Sequence, residues 1–256
     1  MFDTIWGHSL RMVVWNAGMA VHRKLQILVD ELHPDVLVLS ECANEEMLTK
    51  QIPSRLWNHM KWVGSYKHKG LAVLTFGEYE IANLTPIEPI LEWVMALEIQ
   101  GTVSFQLIAV WAMNQRASNI ADFPRSNPQP AAALDAYWTD ASGPTIIAGD
   151  FNHNVRWDKP GTPEKNHGRT LAAAGRAGLT SAYHHARNEE QGAETEPTLY
   201  WHGRYRRKVN GPDPRGELDQ TVDPGSDDRG RWARVPPAPP SVSAGPALTR
   251  CPSPGS

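Results

Sequence analysis

The segment Thr145-Ile146-Ile147-Ala148-Gly149-Asp150-Phe151-Asn152 constrains this chain more than any other. Pro144 precedes the apolar run, which ends abruptly on a carboxylate and a carboxamide, so it reads as a buried strand leaving a sheet. Gly149 lets the backbone turn just before the polar pair. Asp150 and Asn152 stand two apart, so on an extended chain their side chains leave on the same side. An acceptor-only carboxylate beside an amide that both donates and accepts suits a site that orients water or a phosphate oxygen. A plain strand-to-loop exit uses the same residue types. Taken alone, the segment does not separate the two.

Two further strands carry the same punctuation. Arg11-Met12-Val13-Val14-Trp15 runs into Asn16, and Asp35-Val36-Leu37-Val38-Leu39-Ser40 runs into Glu41. Three apolar strands closing on an Asn, a Glu and an Asp-x-Asn suggest side chains gathered at one edge of a sheet core. Oxygen ligands of this kind suit Mg²⁺ or Mn²⁺, which bind through one or two carboxylates plus water and phosphate.

Bulk properties narrow the field. A chain of 256 residues accommodates one large α/β domain, and 41% hydrophobic with 21% charged residues is ordinary globular composition. A formal charge of −3 argues against gripping duplex DNA chiefly by net positive charge, though not against a local basic groove. Two cysteines, Cys42 and Cys251, fit a reducing compartment better than a disulfide framework, and Cys42 reads as a small buried residue. The start shows no basic segment followed by an apolar one, and no stretch reaches the 18 or so apolar residues of a membrane span. The expectation is a soluble cytoplasmic protein with no membrane partner.

Along the chain, residues 12–15 read as a strand, 20–32 as a helix, and 36–39 as a short buried strand. Residues 45–60 look helical but are interrupted by Pro53. Leu71–Phe76 is strand-like, and Glu92–Ile99 with Ser104–Ala112 forms a plausible hairpin. Residues 119–130 hold three prolines and read as a loop, Ala131–Trp138 as a helix, and Asn166–Gly178 as a helix stopped by its glycine. The mixture favours strands sandwiched between outer helices.

The blocks VVWN (13–16), LVLSE (37–41), HKGLAVL (68–74), LIAVWAMN (107–114) and IIAGDFN (146–152) resemble, in order and spacing, those of the endonuclease/exonuclease/phosphatase superfamily. These are the metal-dependent phosphodiesterases that include DNase I and the exonuclease III type of repair nuclease. The likeness covers roughly residues 10 to 205 and is strongest to bacterial members of unassigned substrate. It implies an α/β fold, a four-layer α/β/β/α sandwich, acting with Mg²⁺ or Mn²⁺ on a phosphodiester or phosphomonoester, with nucleic acid as one candidate substrate. It further implies Glu41 as metal ligand with Asn16 beside it, and Asp150 to orient or deprotonate the attacking water. Asn152 then holds a phosphate oxygen, Asn114 reaches the phosphate, Lys69 offsets its charge and His153 sits at the rim. Trp111 stands near where relatives often place a Tyr or His.

The likeness stops short of the C-terminus. We read residues 1–209 as the family-like domain and 210–256 as a tail too poor in large apolar residues, with ten of the chain's 21 prolines, to offset its ordering entropy. Relatives carry two more core strands there, one with Ile-Asp-Tyr and one ending in Ser-Asp-His. Glu217-Leu218-Asp219-Gln220 is a remnant of the first, Ser226-Asp227-Asp228 lacks the histidine, and no Asp-His pair occurs anywhere in the chain. The sandwich is therefore expected to lack its last strands and the enzyme to be impaired, the alternative being an inactive remnant that binds metal or phosphate. Either a reading frame departing between Arg206 and Arg215 or a genuinely divergent tail accounts for this composition. Other chemistries fit less well. His184, His185 and His202 lack finger spacing for zinc, and Arg204, Arg206, Arg207 and Lys208 read as a solvated loop. A Gly-x-Ser-x-Gly elbow is missing.

Overall fold

The central strands of this chain are apolar on both faces because both faces are covered. The computed structural model describes residues 10–52, 54–82, 91, 93–112, 129–137, 143–161, 167–196 and 247–249. The chain divides into two units, residues 1–194 with 242–256 and residues 195–241, and every element below belongs to the first.

One sheet holds β1 (Met12–Asn16), β2 (Val36–Cys42), β4 (Lys69–Thr75) and β3 (His59–Tyr66), in that order. The other holds β5 (Glu80–Ala82), β6 (Val94–Gln100), β7 (Phe105–Trp111), β8 (Thr145–Asp150), β10 (Ala247–Thr249) and β9 (Thr180–Ser181). In β2 the side chains alternate. Val36 and Val38 pack into the cluster between the sheets, while Leu37 and Leu39 join the outer cluster beneath α1 (Leu25–Leu32) and α2 (Glu45–Gln51). In β7, Leu107, Ala109 and Trp111 face the other sheet, whereas Ile108 and Val110 pack with residues of α3 (Gln129–Tyr137) and α4 (His167–Arg176). Helices, sheet, sheet and helices thus form four layers, as expected. Leu37, Leu39, Leu74 and Leu107 are wholly buried, each contributing roughly 1.5–3 kcal/mol of burial.

Several local readings need correction. The helix read over 45–60 ends at Gln51, and β3 begins at His59, because Met60 to Val63 pair with β4 and Trp62 Nε1 donates to the Cys42 carbonyl at 3.0 Å. The helix read over 20–32 opens as a 3₁₀ turn at Val21–Arg23 before α1. Pro130, read as loop, lies in the first turn of α3, where a missing N–H costs nothing. Within the stretch read as the tail, β10 pairs antiparallel with both β8 and β9. Short segments such as β9, β10 and α5 (Ala182–Arg187) carry no periodicity long enough to read.

Candidate active site

The sandwich brings strand ends from both sheets to one edge. Asp150 occupies the position after Ile146 and Ala148 on the face of β8 that meets the first sheet, and Asn16 occupies the matching position after Met12 and Val14 on β1. The two side chains meet, Asn16 Nδ2 donating to Asp150 Oδ2 at 2.8 Å. Asn16 Oδ1 in turn accepts from the Gly18 N–H at 3.0 Å.

Gly149 is required here. Its φ is +149°, and a Cβ at this position would stand 1.8 Å from the Val110 carbonyl oxygen on the neighbouring strand. Past it the chain is not extended, for Asn152 lies at φ +47°, so the alternation reading of Asp150 and Asn152 fails. The turn brings the pair together by another route. The Asn152 backbone N–H donates to Asp150 Oδ1 at 3.0 Å and its Nδ2 to Oδ2 at 3.0 Å.

Glu41 reaches the same edge through a bulge. The pairing of β2 with β4 shifts between Leu39 and Cys42, and Glu41 sits at φ +56°. Its carboxylate stands 3.9 Å from Lys69 Nζ, at the first residue of β4. Lys69 also lies over the Trp111 indole, 5.3 Å from the ring centroid, and Trp111 is in register with Asp150. Trp93, itself at φ +56°, packs against Trp111 with ring centroids 5.6 Å apart. Left-handed backbone at Glu41, Trp93 and Asn152 is costly for residues with side chains, and all three sit in this neighbourhood.

Burial pushes the Asp150 carboxyl above its usual range. The hydrogen bonds from Asn16 and Asn152 hold it down, and the Glu41 charge pushes it up further. Two carboxylates close enough to feel each other are a donor set that a hard divalent cation relieves. Mg²⁺ needs only one or two carboxylates, with water and phosphate completing its shell. Glu41 fits that demand, with the Asp150 carboxylate beside it.

Five of the residues singled out in the sequence thus converge: Asn16, Glu41, Lys69, Asp150 and Asn152. Asn114 lies outside the described residues, as do His202, the basic run 204–208 and the acidic stretches near 217–228. His153 is placed beside His167, ring centroids 6.3 Å apart, and feels the charge of Asp158. His184 is already engaged, with Nδ1 2.7 Å from Ser181 Oγ and Nε2 3.0 Å from Glu194 Oε1. Among the described residues no group of three or more His, Cys, Asp or Glu side chains is placed to hold a metal ion by itself, zinc included. Sequence reading missed the Trp93–Trp111–Lys69 stack, since no spacing rule links Lys69 on β4, Trp111 on β7 and Trp93 in the turn before β6.

No protein-family model matches the chain, and no curated protein does. Solved structures do. An AP endonuclease from Archaeoglobus fulgidus superposes with a TM-score of 0.53 at 16% identity, over 82% of this chain and 82% of that one. The 3′-5′ exonuclease NExo from Neisseria meningitidis gives 0.51 at 19% identity, over 71% of this chain and 77% of that one. The fold is DNase I-like. TDP2 from Caenorhabditis elegans matches more distantly, with a TM-score of 0.47 at 13% identity, and the chain spans 57% of its length.

Proposed function

We propose that the chain hydrolyses a phosphate ester, with a nucleic-acid phosphodiester as the favoured substrate class. The reading is carried by one observation. Asp150 is half-buried at the edge of the two sheets, with Asn16 donating to Oδ2, Asn152 donating to both oxygens and Glu41 alongside. The two solved relatives of this fold with the better superposition are described as an AP endonuclease and a 3′-5′ exonuclease, which supports the nuclease class over other esters.

In this reading Asp150 accepts a proton from the attacking water as its oxygen bonds to phosphorus and the ester oxygen departs. A raised carboxyl is a stronger base than an ordinary one, so burial serves the step. Asn16 and Asn152 fix the carboxylate rotamer, keeping a lone pair on the incoming water. Lys69 supplies positive charge to the phosphate oxygens. Glu41, with Asn16 beside it, would hold Mg²⁺ or Mn²⁺, and the ion would supply neutralisation of developing charge when bound.

The test is Mg²⁺-dependent hydrolysis of bis(p-nitrophenyl) phosphate and of single- and double-stranded DNA, beside Asp150→Ala. Turnover that falls by about 10²–10⁴ in the variant supports the assignment. A second reading, a protein that binds metal or phosphate without turnover, is favoured by the absence of any Asp-His pair in the sequence. A folded wild-type chain with no turnover above the variant would select it.

A further inference from the structure

The lysines near this edge are not equivalent. Lys50 and Lys67 are both committed to Glu46, at 2.7 and 3.0 Å. Lys69 has no hydrogen-bonding acceptor among the described residues; Glu41 stands at 3.9 Å, beyond hydrogen-bond reach. What holds its ammonium is a surface, the face of Trp111, 5.3 Å from the ring centroid. That surface is rigid. Trp111 is 2% exposed and Trp93 7%, and the Trp111 backbone N–H donates to the Trp93 backbone carbonyl at 2.9 Å. Trp93 keeps a left-handed backbone to stay there, which the surroundings must stabilise.

We infer that Trp111 is a positioning residue for phosphate binding. Its indole, backed by Trp93, seats the Lys69 ammonium beside Glu41, at 3.9 Å, without engaging its donors in a hydrogen bond, so that they can meet a phosphate oxygen. The inference deepens the proposed function and rests on its placing phosphate at this edge. A cation on an indole face is held without spending a hydrogen-bond donor, unlike one on a carboxylate. A tyrosine or histidine at position 111 would add a polar group of its own; tryptophan presents its π-face, so the polar work passes to Lys69. Register supports the division of labour, because Trp111 is the direct partner of Asp150 between β7 and β8.

The experiment is calorimetric titration of inorganic phosphate into the full chain in Mg²⁺, followed through a double-mutant cycle. Lys69→Met removes the charge and keeps the length. Trp111→Phe weakens the π-face and keeps an aromatic core, while Trp111→Leu removes the face. Expected are weaker binding in Lys69→Met and a graded loss, Leu greater than Phe, within roughly two- to thirty-fold. That loss should vanish when Lys69→Met is already present, and Lys69→Arg, which also stacks on indole, should retain binding. Wild-type phosphate affinity unaffected by Trp111→Phe, equal losses in both backgrounds, or no phosphate binding at all would overturn the inference. Trp111→Leu is a core truncation, and if it does not fold, the Phe and Met variants still close the cycle. Coupled binding in a chain that hydrolyses nothing would leave this inference standing while the proposed hydrolysis fails.

Discussion

At the scale of single residues the site turns on Gly149 and Asn16. Gly149→Ala puts a methyl 1.8 Å from a backbone oxygen at a φ that side chains avoid, and the obstacle is a strand, not a movable side chain. We expect a loss above roughly 3 kcal/mol, read as a collapse of the thermal melting temperature. Asn16→Ala is the opposite case. It removes a hydrogen bond to a half-buried carboxylate at an exposed strand end, so folding should persist while hydrolysis falls roughly tenfold to a hundredfold. Equal losses of stability and activity in Asn16→Ala would mean the amide only holds the sheets together. The residue types here were legible in the sequence, since Asp150, Asn152, Asn16 and Glu41 each close an apolar strand. Their geometry was not, because the left-handed turn at Asn152 and the bulge at Glu41 depend on neighbours from other strands.

At the scale of elements, α4 is tied to the segment after Asp150 by a carboxylate distant in sequence. Asp158 accepts from the first N–H groups of α4, from His167 at 2.7 Å and Gly168 at 3.0 Å. Asp158→Ala should cost about 1–2 kcal/mol, measured by denaturant unfolding. The same junction titrates. Burial first, and the neighbouring His153 second, lower His167 to about 4 from the ordinary 6.5, while Asp158 and Glu194 oppose the shift and His184 adds to it. The unfolded chain therefore takes up its proton before the folded one. Stability should be full above pH 6.5 and decline as pH falls toward about 4, by up to about 3 kcal/mol. His167→Gln should flatten that part of the profile, and an unchanged slope would remove His167 from the account. The helix itself was readable from its alanine-rich run and closing Gly178, which lies at φ +67°. Its cap was not, because Asp158 is nine residues upstream of His167.

At the scale of the molecule, the four layers follow from apolar strands that need cover on both faces, and this much was legible in LVLSE and IIAGDFN. β3 was hidden because His59, Lys61 and Ser65 interrupt its pattern, and it is fixed by pairing with β4. β10 was hidden more deeply, in a stretch whose composition argues against a core. Its register places Ala247, Leu248 and Thr249 opposite Ala148, Ile147 and Ile146, two residues before the catalytic candidate. Among the described residues β8 is otherwise paired only with β7, so without β10 its outer row of N–H and C=O groups becomes a sheet edge. A chain ending after Ser241 should lose about 2 kcal/mol net of the ordering entropy recovered, a fall of roughly 4–8 °C in melting temperature. Amide exchange in β8 should accelerate in the same variant, at the positions facing β10. Because Asp150 is held from the β1 side by Asn16 and from its own loop by Asn152, its hydrogen bonds do not run through β10. Hydrolysis measured well below the lowered melting temperature should then survive the truncation. Full stability and unchanged exchange would show that β8 needs no second partner, and loss of hydrolysis in a still-folded chain would show that the tail reaches the site itself.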